Sequence, residues 1–505
     1  MKLSLVFYSI FLSIFSTSVM TYITLATPIG PWMGPTLALL ALVLFRPFVS
    51  SHKELILPVC AGSLGGIVAT AVSFSFPTIY FLDKNFFDSF IMQPQFFLLT
   101  LIGLIMSSGG VGLFLAYYCA PSLIDEQNLS FPIGKLEYKV LSAEHSSTQK
   151  KHLGAGLFTT IVYGLLGTPL FFKSVFIPAR IKLFSAYNVL FFSFPEIIVA
   201  MNIVPMLIAI GFIAGHMITL PLLIGAFSKI VLIDPFYGAY YSHLKDADFL
   251  FAFCSGMVLS GAFLGVFTFF QQIYALFKKL GTEKKIVFDK NKFITPEFFL
   301  LLSSFLFLYI LKFSFVSKMY IVLFSMVCAY QIAVIAGKIG LALLGRFATF
   351  VMIPGVILFD LSALQITILA TFVELVGGIM TDALFGYRAA LEAGIERVRV
   401  RRYQLLGLCV SALVCAVTFY FLVTYFQLGS EQLFAQRAQA RALLIHVTTF
   451  DYYVLAYGAF FGIVLKKLKI NPMLVLGGLL MPPSLSLMLM IGGVLSLVVK
   501  NKETY

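Results

Sequence analysis

The sequence predicts an all-α, polytopic transmembrane helical bundle with broken or re-entrant helices. The 505 residues are 60% hydrophobic and only 11% charged, whereas an ordinary soluble domain carries about 25% charged residues. Apolar runs of roughly 20 residues recur from end to end, and each is long enough to cross a bilayer as a helix. Apolar and polar residues do not alternate within these runs, as they would in a membrane β-barrel.

The net charge of +13 falls mostly in short loops between the apolar runs, which is the positive-inside pattern of membrane proteins. This location favours the lipid bilayer as the partner and argues against nucleic acid. The six cysteines lie in or beside apolar runs at no metal-ligand spacing. We therefore expect no disulfide framework, no metal site and no cofactor.

The first apolar run spans residues 3–26 and is longer than a cleaved signal peptide, so it predicts a first membrane helix. Three prolines and two glycines between Thr27 and Pro35 break any helix there. A second run then continues to Phe45, as part of one broken helix or of a tight helical pair.

Further apolar runs predict the remaining spans, for a total of roughly 12–16 membrane segments. The run at 319–359 is too long for one span, and Gly337-Lys-Ile-Gly340 would divide it in two. The polar loop 119–152, with Lys135, Glu137 and Lys139, reads as a solvated connector. The other runs lie at 55–82, 94–118, 153–172, 185–201, 202–233, 249–277, 297–316, 361–385, 403–426, 452–465 and 472–499.

The most polar connector, 278–292, carries six lysines and predicts a division of the chain in two. We expect an N-terminal transmembrane half at 1–277, a basic cytoplasmic connector at 278–292 and a C-terminal half at 293–505. The basic loop 386–402 would lie on the same side of the membrane as the connector.

The stretch from Lys338 to Gly386 is the strongest candidate for a functional site. It carries Lys338, Arg346, Glu374 and Asp382 among apolar residues. An ionised group at membrane depth costs on the order of 2.5–3.5 kcal/mol, so such groups face the protein interior or line a polar path. One face of the predicted helix carries five residues spaced three or four apart, namely Thr367, Thr371, Glu374, Gly378 and Asp382.

Each charged residue of this stretch has a functional and a structural interpretation. Glu374 is a candidate proton carrier, because desolvation raises a carboxyl pKa towards neutrality; alternatively it forms a structural ion pair with Lys338 or Arg346. Asp382 is a second candidate, or caps or pairs near the membrane boundary. Lys338 and Arg346 would bind a substrate carboxylate or an anionic chelate, or only balance the acidic helix.

Outside this stretch, Glu196 follows Pro195 and precedes Asn202, so a half-helix would bring its polar end towards the middle of the membrane. The alternative is an interfacial carboxylate on a lateral helix. His216 is a candidate contact in a long span, or a hydrogen-bonded core residue. Breaks or hinges are expected at the following positions: Gly65, Pro77, Pro132, Gly134, Pro221, Pro354 and Gly386.

An ordered set of segments resembles the oligopeptide transporter (OPT/YSL) family, in its bacterial branch. The set includes a small-residue helix ending in Phe74-Ser-Phe-Pro77 and the segment Leu129-Ser-Phe-Pro-Ile-Gly134. The chain departs from the family pattern where Gly378, Thr381 and Leu384 replace the usual Asp, Gln and Lys. The set is completed by Gly211–Ala226, Asp382 to Gly407, and Leu476-Gly-Gly478 through Gly492-Gly493.

The resemblance implies a proton-coupled symporter that takes up oligopeptides or metal chelates across a bacterial inner (cytoplasmic) membrane. The sequence leaves the oligomeric state open, a homo-oligomer included. No phosphate-binding P-loop is present, and we expect no enzyme activity. Two other classes stay in view: a membrane-embedded transferase acting on lipid-linked substrates, and a passive channel.

Overall fold

The protein is a helical molecule whose computed structural model describes most of the chain. The described residues are 2–49, 51–142, 180–189, 192–202, 215–241, 296–340, 344–430, 432–445, 451–480 and 483–503, with a few isolated positions between them. The predicted spans at 153–172 and most of 249–277 lie outside them, as does the connector 278–292. The predicted segment count and division into two halves therefore stay predictions.

The helices follow the predicted apolar runs, and the helical fold class is confirmed. Seven helices among the described residues are long and apolar enough to cross a membrane, by length and composition. In chain order the elements are α1 (Leu3–Ala26), α2 (Gly34–Phe45), α3 (Ile56–Ser75), α4 (Thr78–Leu82), α5 (Lys84–Ile91), α6 (Pro94–Ala120), α7 (Pro132–Ser142), β1 (Arg180–Val189), β2 (Phe192–Asn202), α8 (His216–Ser228), α9 (Pro296–Ile310), α10 (Phe315–Ile339), α11 (Leu344–Leu358), α12 (Ala363–Ala393), α13 (Arg397–Tyr425), α14 (Gln436–Ile445), α15 (Tyr452–Lys467), α16 (Pro472–Leu480) and α17 (Pro483–Glu503).

Contacts divide the chain into two compact units. Unit 1 comprises Met1–Glu144 and Ala262–Ala442, and unit 2 comprises His145–Gly261 and Leu443–Tyr505. In unit 1, α1 packs on α3 and α13, and α12 packs on α3, α6, α7, α10 and α11. Unit 1 thus combines helices of the N-terminal part with helices of the second half of the sequence, since α1 and α3 pack on α12 and α13. In unit 2, α8 packs on α16 and α17.

The burial pattern of α1 is that of a membrane helix. Leu12, Ser13 and Thr17 are buried, while Phe7 is 64% and Phe11 40% exposed. A helix that turns its serines and threonines inward and its phenylalanines outward is suited to lipid rather than to water. This arrangement supports an integral membrane protein.

Unit 2 contains a two-stranded antiparallel hairpin that the sequence did not predict. Arg180 pairs with Asn202, and Val189 pairs with Phe192. The predicted half-helix around Glu196 is therefore wrong, because Glu196 and Asn202 lie in β2. The β2 segment is rich in β-branched and aromatic residues, which favour strands, and a two-stranded hairpin leaves a free edge that tolerates Pro195.

Four predicted interruptions are present in unit 1. Helix α1 ends at Ala26 and α2 begins at Gly34. Helix α10 ends at Ile339 because Gly340 adopts the left-handed conformation, with φ +76°, which glycine adopts without steric cost. The proline positions Pro77 and Pro132 also mark boundaries, between α3 and α4 and at the start of α7.

The other predicted breaks lie inside continuous helices. Pro221 lies within α8 and Pro354 within α11, since membrane helices tolerate proline when nearby groups satisfy the freed backbone. Gly65, Gly134 and Gly386 serve close packing instead. A methyl group at Gly65 would lie 2.4 Å from Thr17 Oγ1, and one at Gly134 would lie 2.2 Å from the carbonyl oxygen of Phe385.

Two predicted loops contain helices. The basic loop expected at 386–402 is mostly helical, because α12 continues to Ala393 and α13 begins at Arg397. The connector expected at 119–152 contains α7, and its Glu137 is 1% exposed. The expectation of a solvated connector is wrong there, because Gly134, Glu137 and Leu141 form a buried face on α12, α2 and α3.

Candidate functional site

The acidic face of α12 lies inside unit 1. Thr367, Thr371 and Glu374 are completely buried, and Asp382 is 3% exposed. Thr371 Oγ1 donates to the carbonyl oxygen of Thr367 at 2.7 Å, so the threonines are satisfied within their own helix. The two carboxyl groups depend on other elements for their partners, and they have different ones.

Glu374 forms a buried ion pair with Arg441 of α14. Its Oε1 accepts from Arg441 Nη2, while Oε2 is buried and has no hydrogen-bond partner among the described residues. Arg441 Nη1 also donates to the carbonyl oxygen of Phe74 at 2.9 Å and to Ser75 Oγ. These residues form the last turn of α3, where free carbonyl groups favour a cation.

Arg437 lies one turn before Arg441 on α14 and is only partly satisfied. Its Nε donates to the carbonyl oxygen of Pro28 at 2.9 Å, and its guanidinium lies 4.3 Å from the centroid of the Phe74 ring, a cation–π distance. Its two Nη atoms have no hydrogen-bond partner in the part of the chain described. Burial lowers the pKa of Arg437 to about 10, so the group stays charged at neutral pH.

Gly345 leaves space where these groups meet. A methyl group there would lie 3.3 Å from Arg437 Nη1, 3.3 Å from Arg441 Nη2 and 3.5 Å from Glu374 Oε1. Gly345 lies in the first turn of α11, and a helix N-terminus carries a partial positive charge. We call Glu374, Arg437 and Arg441 the ion cluster. Two cations and one carboxylate leave it with an excess of positive charge.

Interrupted backbone contacts the ion cluster at Pro28, and two further breaks of unit 1 are joined by hydrogen bonds. Pro28, which accepts from Arg437, belongs to the break between α1 and α2. In the same break, Trp32 Nε1 donates to the carbonyl oxygen of Gly340 at 3.0 Å. The backbone N–H of Phe131, just before α7, donates to the carbonyl oxygen of Gly337 at 2.8 Å. Non-helical backbone within a membrane bundle occurs where it is buried in protein or lines a polar cavity.

Asp382 has no cationic partner among the described side chains. Its Oδ2 accepts from Ser63 Oγ of α3 at 2.8 Å. The buried Glu137 of α7 lies close enough to interact electrostatically with it. Unit 1 therefore contains a second buried acidic site, on the same helix as Glu374 but two turns further along.

The remaining predicted site residues lie on α8, α10, α11 and β2. Lys338 lies in the last turn of α10 and its side chain is outside the described part. Arg346 neighbours Arg437 electrostatically, but its side chain is exposed and does not pair with Glu374. His216 is the half-buried first residue of α8, in unit 2. Glu196 and Asn202 lie in β2 of the same unit.

The sequence interpretation missed Glu137, Arg437 and Arg441. The arginines stand four residues apart in Gln436–Ile445, whose alanines are buried. Two arginines on one face of an alanine-rich helix, without nearby acidic residues in the sequence, are a signal that their partners lie elsewhere. For Glu137 the signal was its spacing from Gly134 and Leu141, at three and four residues.

Compared with known proteins, the chain matches no family model and no curated protein. The resemblance to the oligopeptide transporter family accordingly stays a prediction. The class that the fold and burial pattern support is an integral membrane protein built from a helical bundle.

Proposed function

We propose that this chain is a secondary active transporter that takes up a small polar solute across its membrane, coupled to protons. The observation that carries the proposal is the ion cluster, because Glu374 and Arg441 lie buried among apolar helices without full hydrogen bonding. A buried ion pair seldom gains stability over apolar packing, since desolvation offsets the Coulombic attraction. A function in binding explains why such a cluster is present.

The substrates proposed are oligopeptides or metal chelates, which carry carboxylates and often amines. The free Nη atoms of Arg437 suit a carboxylate, since a guanidinium donates in a planar fork. The unpartnered Oε2 of Glu374 suits an ammonium group. A solute carboxylate would compete with Glu374 for Arg441, so the ion pair would exchange partners when substrate arrives.

The interrupted helices are a second observation that favours transport. In many transporters, broken helices meet near the middle of the membrane and place polar backbone at the substrate. Pro28, in the break between α1 and α2, accepts a hydrogen bond from the ion cluster, and Gly345, in the first turn of α11, lies beside it. Rearrangement at these breaks would let the helices move without losing their own hydrogen bonds.

Uptake into proteoliposomes tests the proposal. Purified protein would be supplied with pools of labelled short peptides or ferric chelates, with and without an inward proton gradient. We expect one pool to accumulate above equilibrium only with the gradient, and Arg437→Gln to reduce its uptake at least tenfold, about 1.4 kcal/mol in binding. Arg402→Gln, an exposed arginine of α13, is the matched control and should leave uptake unchanged.

The same assay separates the other two classes. Equilibration without accumulation would indicate a passive channel. Turnover of a lipid-linked substrate, with no solute uptake, would indicate a membrane-embedded transferase. Either result would contradict the proposed function.

A further inference from the structure

The second acidic site in unit 1 centres on Glu137 of α7. Glu137 is 1% exposed, and both of its carboxyl oxygens lack a hydrogen-bond partner among the described residues. A methyl group at Gly34, the first residue of α2, would lie only 1.7 Å from Glu137 Oε1. The carboxyl group is thus packed tightly into the interior and does not reach solvent.

Other polar groups converge on the same region. Asp382 is buried and held by Ser63, and the Cys60 thiol lies within electrostatic range of both carboxyl groups. Gln404 is completely buried and its Oε1 also lacks a partner. A methyl group at Gly386 would lie 2.7 Å from Gln404 Nε2 and 2.9 Å from Cys60 Sγ, which places these two side chains together.

The elements packed against α7 supply no cation to Glu137 in the described part of the chain. Helix α2 has no ionisable side chain, and α3 contributes Cys60. In the 3-10 turn before α3, Glu54 pairs with Lys2 and Arg399, and Lys53 is exposed.

Helices α12 and α10 also pack against α7, and α7 carries charged side chains of its own. On α12, Arg388 pairs with Glu392. On α7 itself, Lys139 is exposed, Lys135 and Tyr138 are half-buried, and none of the three hydrogen-bonds Glu137. The side chains of His52 and Lys338 lie outside the described residues. Among the groups described, Glu137 and Asp382 interact electrostatically, and neither has a cationic partner.

Two carboxyl groups in one apolar site cannot both remain ionised, so one keeps its proton. Burial raises the pKa of Glu137 well above its usual range, and the neighbouring Asp382 carboxylate raises it further. A proton needs no coordination shell, which suits a carboxyl group packed against Gly34. Because the two groups interact, they titrate as a pair rather than as separate residues.

We propose that Glu137 and Asp382 share one exchangeable proton and that this proton is the coupling ion. The site stands on its own geometry, while its coupling role rests on the proposed function. Helix α12 connects the two sites, since Asp382 and Glu374 are eight residues apart, about 12 Å along the axis. One helix therefore carries a residue of the proton site and a residue of the ion cluster.

Infrared difference spectroscopy of the purified protein tests the proton site without any substrate. On raising the pH we expect the loss of a stretching band from a buried, protonated carboxyl group, shifted by deuterium. Glu137→Gln and Asp382→Asn should each remove or displace this band. Glu126→Gln, an exposed carboxyl group, should leave it unchanged. Absence of the band from the wild-type protein at every pH would overturn the proposal, whether or not the variants fold.

The same spectra distinguish a metal cation from a proton. Replacing choline by sodium at constant pH should leave the band unchanged. Loss of the band when sodium is added to the wild-type protein, together with absence of the band from Glu137→Gln, would identify a sodium site. This result would overturn the proton assignment.

Counterflow in proteoliposomes tests the coupling role separately, with pools of labelled short peptides and of ferric chelates as probes. In Glu137→Gln we expect gradient-driven accumulation of solute to fall at least tenfold. Exchange of internal for external solute should be retained. Gradient-driven accumulation by Glu137→Gln at the wild-type rate would overturn the coupling role. A band that is present in a protein that transports neither pool would support the proton site and contradict the proposed function.

Discussion

At the scale of single residues, two buried carboxylates on one helix have opposite surroundings. Glu374 lies beside two arginines, whereas Asp382 lies beside another carboxyl group. Both groups are buried, but only Glu374 has a counter-charge among the described residues. This difference suits Glu374 for binding a charged solute and the Glu137–Asp382 pair for holding a proton.

Removing the counter-charge of Glu374 should destabilise the protein strongly. In Arg441→Ala the carboxylate stays buried without its partner, which costs about 3–5 kcal/mol. Arg397→Ala, which removes the half-buried partner of the exposed Asp125, should cost less than about 1 kcal/mol. Thermal unfolding in detergent gives both values. Equal losses in the two variants would show that the Glu374 pair is not desolvated as described.

Gly34→Ala should act through Glu137. The added methyl group would collide with Oε1, and overpacking of this kind costs about 1–3 kcal/mol. In a Glu137→Ala background the carboxyl group is gone, so the same substitution should cost much less. A double-mutant cycle on thermal stability measures the difference. Additive effects would place the clash elsewhere.

At the scale of elements, α7 and α14 are short helices between longer ones, and both carry ionised or ionisable groups into the interior. Neither is among the helices long enough to span the membrane. Each lies next to a break, α7 beside Gly337 and α14 beside Pro28. Short helices at breaks therefore bring charge to the long helices without interrupting them.

The stability contributed by α7 should depend on pH. The raised pKa of Glu137 means that the folded protein keeps a proton that the unfolded chain, with an ordinary pKa of 4.5, has lost. The unfolded state then binds fewer protons, so this contribution is complete below about pH 4.5 and is lost as the pH rises towards the folded-state pKa. Relative to Glu137→Gln, wild-type stability should fall by up to about 1.4 kcal/mol per pH unit.

Melting temperatures between about pH 5 and about pH 7 measure this slope, since each proton lost in unfolding shifts the stability by a fixed amount per pH unit. Glu126→Gln should show the wild-type slope. A constant difference between the wild-type protein and Glu137→Gln across this range would mean that Glu137 does not titrate differently in the folded state.

The glycines that end α10 and α12 give a matched pair of substitutions. Gly340 and Gly394 both have left-handed backbone, with φ +76° and +73°, so alanine costs about 1–2 kcal/mol at each. A methyl group at Gly340 would also lie 3.0 Å from Pro132 Cγ, whereas the space at Gly394 is open. Gly340→Ala should therefore lower the melting temperature more than Gly394→Ala. Equal losses would show that contact with Pro132 adds nothing.

At the scale of the whole molecule, the sequence predicted those features that depend on local composition. Apolar runs located α1, α6 and α13, and glycine and proline located the breaks at Thr27–Pro35 and Gly340. The acidic face of α12 followed from helical spacing alone. These features need no knowledge of which helices touch.

Features that depend on distant contacts could not be predicted in this way. The partner of Glu374 is 67 residues away at Arg441, and Asp382 is held by Ser63, 319 residues away. Glu137 looked like part of a polar loop because lysines at 135 and 139 flank it, and only packing on α12 reveals its burial. The β1–β2 hairpin was missed because its apolar run is equally compatible with a helix.

If solute and proton move together through the bundle, adding substrate to proteoliposomes should itself move protons. Pools of short peptides and of ferric chelates would be added outside vesicles containing the purified protein and an internal pH indicator. We expect one pool to acidify the lumen, and Glu374→Gln and Glu137→Gln each to abolish the signal. Solute entry without any proton movement, or no signal from either pool, would contradict the coupled movement of solute and proton.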